Sequence, residues 1–138
     1  MAGITNARGY PIGAMSRETG VNIETIRYYE RIGLMPTPDR TPGGNRQYRH
    51  DHLLRLGFIK RCRELGFNIQ EIRAMLDMVD QNGVSCSKVH EMTTGHLRSV
   101  QQKIRHLKEM ERVLAGMAEQ CAKGDMPQCA IIEALFAA

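Results

Sequence analysis

The feature that most constrains this chain is a segment from about Ser87 to Glu119 that contains no proline. Its apolar positions Leu97, Val100, Ile104, Leu107 and Leu114 follow one another at steps of 3, 4, 3 and 7. That spacing is the 3.5-residue repeat of a coiled-coil seam, with Glu111 in the skipped core position. At 1.5 Å per residue the helix is about 45–50 Å long. One long helix with one apolar stripe cannot bury that stripe alone. The segment therefore predicts a homodimer joined along Leu97, Val100, Ile104, Leu107 and Leu114.

The remainder of the 138 residues is enough for one small domain. Apolar residues make up 42% and charged residues 25%, an ordinary folded composition. Aromatics are only 5%, with no Trp, which favours helices packed through Leu, Ile, Val and Met. No apolar run approaches the roughly 18–20 residues that span a bilayer, and no signal-peptide stretch opens the chain. A cytoplasmic protein with reduced thiols is the expectation. Charge is uneven: residues 1–63 carry 11 Lys and Arg against 5 Asp and Glu, whereas residues 64–138 carry 8 against 10. A basic front half is the electrostatic footprint of a nucleic-acid binder.

Local signals organise that front half. Residues 12–19 form a short helix stopped by Gly20, and Asn22 caps a second helix carrying Ile23, Ile26 and Glu30. Two short helices around a glycine turn describe a helix-turn-helix. Gly33, Pro36, Pro38, Pro42, Gly43 and Gly44 exclude further helix, and Asn45–Arg49 resumes as an extended arm, which predicts a two-stranded wing with a Gly-Gly turn. Asp51 is placed as the cap of a third helix over about 52–65, with Leu53, Leu56, Ile59 and Leu65 on its apolar face. Asn68 caps a fourth helix with Ile69, Ile72, Leu76 and Val79 inward. The expected organisation is a winged helix-turn-helix domain over 10–80, a dimerisation helix over 86–119, and a loop with a short helix over 120–138.

Candidate DNA contacts follow from residue type. Arg27, Tyr28 and Tyr29 lie in succession on the second helix, where Arg reaches guanine edges or phosphates and Tyr reaches phosphate or sugar. Arg46, Tyr48 and Arg49 belong to the wing, Lys60, Arg61 and Arg63 form a further basic cluster, and Arg17 lies on the first helix. One of the two adjacent tyrosines is expected to belong partly to the core. No Ser/His/Asp set, paired carboxylates or phosphate-cradling glycine loop stands out, so no enzyme is expected.

Several motifs in fixed order make the chain recognisable. Ile12-Gly13, Thr25-Ile26-Arg27-Tyr28-Tyr29-Glu30, Gly33-Leu34, Gly44-Asn45-Arg46-Gln47-Tyr48 and Arg63-Glu64-Leu65-Gly66-Phe67 occur at the spacing seen in MerR-type transcriptional regulators. The resemblance runs from about residue 10 to residue 136. It implies a mainly α fold: a winged helix-turn-helix, a long antiparallel coiled-coil dimerisation helix and a C-terminal metal-binding loop. It also implies a homodimer on pseudo-palindromic double-stranded promoter DNA, repressing when unliganded. With ligand, such proteins distort the promoter so that RNA polymerase engages both of its elements. By the same resemblance Arg27, Tyr28, Tyr29, Arg46 and Tyr48 are DNA contacts.

The four cysteines separate by context. Cys62 lies inside the third helix and reads as a packing residue. Cys121 and Cys129 flank a loop containing Gly124 and Pro127, which lets two thiolates converge on a soft ion, Cu(I) or Hg(II), or form a reversible disulfide. Cys86 precedes the long helix and Cys121 follows it, so within one chain they cannot meet. In an antiparallel pair the Cys86 of one protomer approaches Cys121 and Cys129 of the other, giving two shared sites per dimer. Metal binding would then bias the angle between the DNA-reading heads.

In metal-sensing MerR-type proteins the position matching Cys86 is Cys in sensors of divalent ions and Ser in sensors of monovalent copper, silver and gold. Cys121 and Cys129 match the two loop ligands. The resemblance therefore implies a three-thiolate site for Hg(II), Pb(II) or Cd(II), with Zn(II) if a fourth ligand such as His90 joins. His96 and His106 are left as seam or surface residues. The loop length and the Ile-Ile-Glu-Ala-Leu after it match the copper-efflux branch, which keeps Cu(I) as the alternative. The zinc branch has a second Cys beside the first loop Cys, where this chain has Gln120. A drug-sensing regulator is disfavoured, because only nine residues follow Cys129.

Overall fold

The computed structural model describes residues 9–123 and 129–137. The chain divides into two compact units, Met1–Ser85 and Cys86–Ala138.

The first unit starts with the helix-turn-helix. Helix α1 (Ile12–Thr19) ends at Gly20, whose φ of 73° lets its N–H return to the Ser16 carbonyl at 2.8 Å. A side chain there meets both the left-handed strain and the Lys60 ammonium, 2.7 Å from an ideal Cβ. Helix α2 (Ile23–Arg31) opens as expected, with the Asn22 side chain accepting from the Glu24 N–H at 2.7 Å.

The wing follows. Strands β1 (Asp39–Arg40) and β2 (Arg46–Gln47) pair antiparallel, with Asp39 opposite Gln47 and Arg40 opposite Arg46. Gly44, at φ 86°, donates to the Thr41 carbonyl at 2.8 Å and closes the turn. The N-terminal segment adds a rung that local patterns did not reveal. Tyr10 and Tyr48 exchange backbone hydrogen bonds at 2.7 and 2.8 Å, so the wing is anchored from behind.

Helix α3 (His50–Glu64) begins two residues earlier than expected. Asp51 is not its cap. It sits in the first turn and takes both arms of the Arg49 guanidinium at 3.1 and 3.3 Å. The capping acceptor is His52, whose Nδ1 receives the Arg49 N–H at 3.0 Å. Leu56 and Ile59 are fully buried, but Leu65 is 68% exposed. Leu65 occupies the C-cap position, off the buried stripe, and Phe67 enters the core after the turn at Gly66.

Helix α4 (Ile69–Asp80) carries a capping box in which Asn68 and Glu71 each accept the other's backbone N–H, at 2.8 and 2.9 Å. Ile72 and Leu76 are buried, whereas Val79 is 52% exposed. It lies one turn beyond Leu76, at the rim of an open groove shared with Leu54 and Phe58. Two arginines lock the segment after α2 to the later helices. Arg55 donates to the Leu34 carbonyl at 3.0 Å and forks onto Asp80 at 2.8 and 3.2 Å, and Arg73 donates to the Ile32 carbonyl at 2.5 Å. The core beneath is built from Met15, Ile26, Leu34, Met35, Tyr48, Leu56, Ile59 and Ile72, all under 2% exposed.

The second unit is helix α5 (Cys86–Lys123), 38 residues and so about 57 Å long, with the short helix α6 (Ala130–Phe136) packed on it. The helix runs on past the expected end at residue 119. Cys86 is its first residue rather than a residue before it, and the backbone of Cys121 belongs to its last turn rather than to the following loop. Leu97, Ile104, Leu107 and Leu114 are 46–60% exposed and Val100 is half-buried, as an apolar stripe without its partner must be. Among the described residues no helix is long and apolar enough to cross a membrane.

Candidate functional site

The basic residues gather where α1, α2 and the wing meet. A cleft of about 250 Å³ is lined by Pro11, Ile12, Arg27, Arg40, Gly44, Asn45 and Arg46. Three arginines thus line one cleft together with Pro11 and Ile12 at the start of α1, whose dipole adds positive potential. A cleft of this size and charge suits the phosphates of a nucleic-acid backbone.

Each side chain has a local reason for its place. Arg27, half-exposed, is held by Glu24 one turn earlier at 2.8 Å. Tyr28 is 43% exposed on the same helix, with the Arg31 guanidinium 5.9 Å from its ring centre. Arg46 donates its Nε to Glu30 at 3.0 Å. Arg40 was missing from the expected contacts; its guanidinium donates to the Gly44 carbonyl at 2.8 Å. The signal that finds it is the hairpin register, since directly opposed Arg40 and Arg46 share one face of the wing.

Two expected contacts lie in the interior. Tyr48 is fully buried and its hydroxyl donates to the Glu30 carboxylate. Burial, reinforced by that hydrogen bond and by the charge of Glu30, pushes the Tyr48 hydroxyl far above the usual phenol range. Tyr29 is 7% exposed and packs at 6.0 Å, ring centre to ring centre, from Tyr28. Both rings belong to the core of the first unit, Tyr48 through its hydrogen bond to Glu30 on α2. Arg17, Lys60 and Arg63 line no part of the cleft. Lys60 stands 3.7 Å from Glu64, Arg63 donates to the Phe67 carbonyl at 3.0 Å near the end of α3, and Arg17 is exposed in the last turn of α1.

The thiols lie in the second unit, apart from Cys62. That residue is buried in α3, and burial pushes its thiol up despite the opposing Arg61 charge, as suits an inert packing residue. Cys86 is exposed at the start of α5, with exposed His90 one turn on. Cys129 is half-buried at the N-cap of α6, where its carbonyl accepts from the Glu133 N–H at 3.0 Å. The Cys121 side chain and residues 124–128 lie outside the described residues. Among those that are described, no three His, Cys, Asp or Glu side chains of the one chain gather as metal ligands.

Comparison with known proteins agrees with this architecture. Residues 10–79 match the MerR HTH family regulatory proteins, and residues 53–117 match the family described as MerR, DNA binding. The mercuric resistance operon regulatory protein of Bacillus cereus is 43% identical over 128 residues, which is 92% of this chain and 97% of that one. Among solved structures, the regulator PbrR691 from Ralstonia metallidurans CH34 in complex with lead(II) superposes with a TM-score of 0.76 at 32% identity, covering 91% of this chain and 98% of that one. The MerR of Bacillus megaterium MB1 in complex with mercury(II) gives 0.67 at 39% identity with the same coverage of both chains. A helix-turn-helix and wing with a basic face, followed by a long helix with an unpartnered stripe, thus has both sequence and structural relatives of one kind: the chain belongs to the MerR family of helix-turn-helix transcriptional regulators.

Proposed function

We propose that this regulator acts as a homodimer on double-stranded promoter DNA in the cytoplasm and switches heavy-metal resistance or efflux genes on when it binds a thiophilic divalent ion. The observation that supports this reading is where two of its cysteines fall along the backbone of α5. Cys86 opens α5 and Cys121 falls in its last turn, about 50 Å away along a continuous helix. Soft sulfur donors at the two ends of one helix serve one ion only if a second chain runs antiparallel. Cys86 of one protomer then joins Cys121 and Cys129 of the other, and the exposed Leu97–Leu114 stripe becomes the seam. The donor chemistry fits Hg(II), Pb(II) or Cd(II), and Zn(II) if His90 adds a nitrogen. The named relatives are a regulator of a mercuric resistance operon and regulators in complex with lead(II) and mercury(II), which agrees with this class.

In this reading the cleft of Arg27, Arg40 and Arg46, with Tyr28 beside it, seats the backbone of the operator. Occupied thiol sites favour one arrangement of the two DNA-reading units over another, so the bound promoter is distorted toward the form that RNA polymerase uses. The chain's part is binding and positioning, without catalysis of its own. Equilibrium dialysis with Hg(II), Pb(II), Cd(II), Zn(II) and Cu(I), on the wild type and on Cys86→Ser, tests it. We expect one divalent ion per site in the wild type and a loss of divalent affinity of tenfold or more in the variant. A variant that holds divalent ions as well as the wild type, or a wild type that takes only Cu(I), overturns the divalent reading.

A further inference from the structure

The carboxylate of Glu30 occupies an unexpected place for a DNA-reading helix. Its side chain is 8% exposed and is paired with Arg46, which lines the basic cleft. An acidic group there lowers the potential that draws phosphate in. It takes two donors at once: Nε of Arg46 at 3.0 Å and the hydroxyl of Tyr48, itself fully buried and tied through its backbone to Tyr10. Glu30 is on α2, whereas Arg46 is on β2 and Tyr48 follows it. One carboxylate thus fastens the wing to the recognition helix.

The geometry on Arg46 is informative. Among the described residues Glu30 engages only Nε, and Arg46 lines the cleft that also holds Arg27 and Arg40. A guanidinium gripped from behind by Nε presents its terminal nitrogens forward as a fork in fixed orientation. Arg27 has an analogous but looser arrangement, since its own partner Glu24 is 74% exposed. Arg46 is therefore the cation of the cleft whose direction is set by the buried core.

We infer that Glu30 is a positioning residue for DNA recognition: it orients Arg46 toward a backbone phosphate, and its negative charge strengthens binding instead of weakening it. This rests on the reading of the cleft as the DNA interface. It makes a prediction with the opposite sign to simple electrostatics. Removing an acidic charge beside phosphate should tighten binding by charge alone, whereas loss of the Arg46 anchor should loosen it.

The test uses the full-length dimer and a duplex selected from random sequence by the wild-type protein. Affinity is measured over a range of salt for Arg46→Met, Glu30→Gln and the double variant, with near-ultraviolet circular dichroism and thermal unfolding as checks on folding. Arg46→Met should weaken binding and reduce the salt slope by about one. If it does neither, the interface reading itself fails. Given that loss, Glu30→Gln should weaken binding roughly threefold to tenfold with a similar fall in slope, and the double variant should be no weaker than Arg46→Met alone. Tighter or unchanged binding by Glu30→Gln, or a full additive loss in the double variant, overturns the inference while leaving the interface intact. The wild type gives an independent readout by nuclear magnetic resonance, needed if Glu30→Gln does not fold. The Arg46 Nε–H should exchange slowly with water both free and on DNA, and rapid exchange in the free protein overturns the inference.

Discussion

His52 shows how one buried side chain sets a condition on the whole first unit. It is 3% exposed, accepts the Arg49 N–H, and meets the Tyr48 ring edge-on at 6.0 Å. Burial lowers its proton affinity below the usual imidazole range, with the Asp51 charge opposing. In the folded chain it therefore stays neutral at a pH where the unfolded chain takes up a proton. Its contribution to stability is present above the unfolded value of about 6.5 and is lost as pH falls through the lower folded value. Thermal unfolding between pH 8 and pH 5 should show a declining midpoint below about 6.5. A His52→Asn variant, which cannot titrate, should flatten that part of the profile; a midpoint insensitive to acid in the wild type would contradict this. Tyr48→Phe removes a donor from the Glu30 carboxylate while keeping the ring, and should cost about 1–2 kcal/mol in urea unfolding. Residue type does not reveal that Tyr48 is buried, because a tyrosine beside arginines is equally apt for phosphate. Only the bridge to Tyr10 and the fold of the wing onto α2 show that it faces inward.

At the level of elements, the start and stop signals were legible because they act within a few residues. Asn22, Gly20 and Asn68 do in the structure what their chemistry dictates in the chain, and Glu71 completes a capping box with Asn68. The errors arise where the outcome depends on something distant. Leu65 and Val79 continue an apolar pattern past the edge of the core, and nothing local marks that edge. His52 displaced Asp51 as cap because its ring, buried beneath Tyr48, already faces the Arg49 N–H. Nothing local marks Arg40, because its place beside the cleft comes from its pairing with Arg46 across the hairpin. That pairing carries its own expectation. If β1 and β2 present one phosphate-binding face, Arg40→Met should weaken operator binding and lower the salt slope by about one, measured by fluorescence anisotropy. An unchanged slope would remove Arg40 from the interface.

For the whole molecule, the long helix was the clearest feature in the sequence, since a period of 3.5 without proline has few other outcomes. Its exact span was less legible: the helix takes in Cys86 at one end and the Cys121 backbone at the other. The exposed Ile104 and Leu107 should be needed for dimerisation. An Ile104→Asp, Leu107→Asp variant should sediment as a monomer, and a variant that still sediments as the wild-type dimer would place the seam elsewhere. The sharpest check on the shared thiol site mixes two defective chains, Cys86→Ser and Cys121→Ser/Cys129→Ser, purified as a heterodimer with two different affinity tags. One of its two sites then holds Cys86 of one chain with Cys121 and Cys129 of the other. Titration with Pb(II), followed by its sulfur charge-transfer absorption, should give one three-thiolate ion per heterodimer and none in either parent homodimer. A heterodimer as inactive as its parents would show that the thiols do not meet across the dimer.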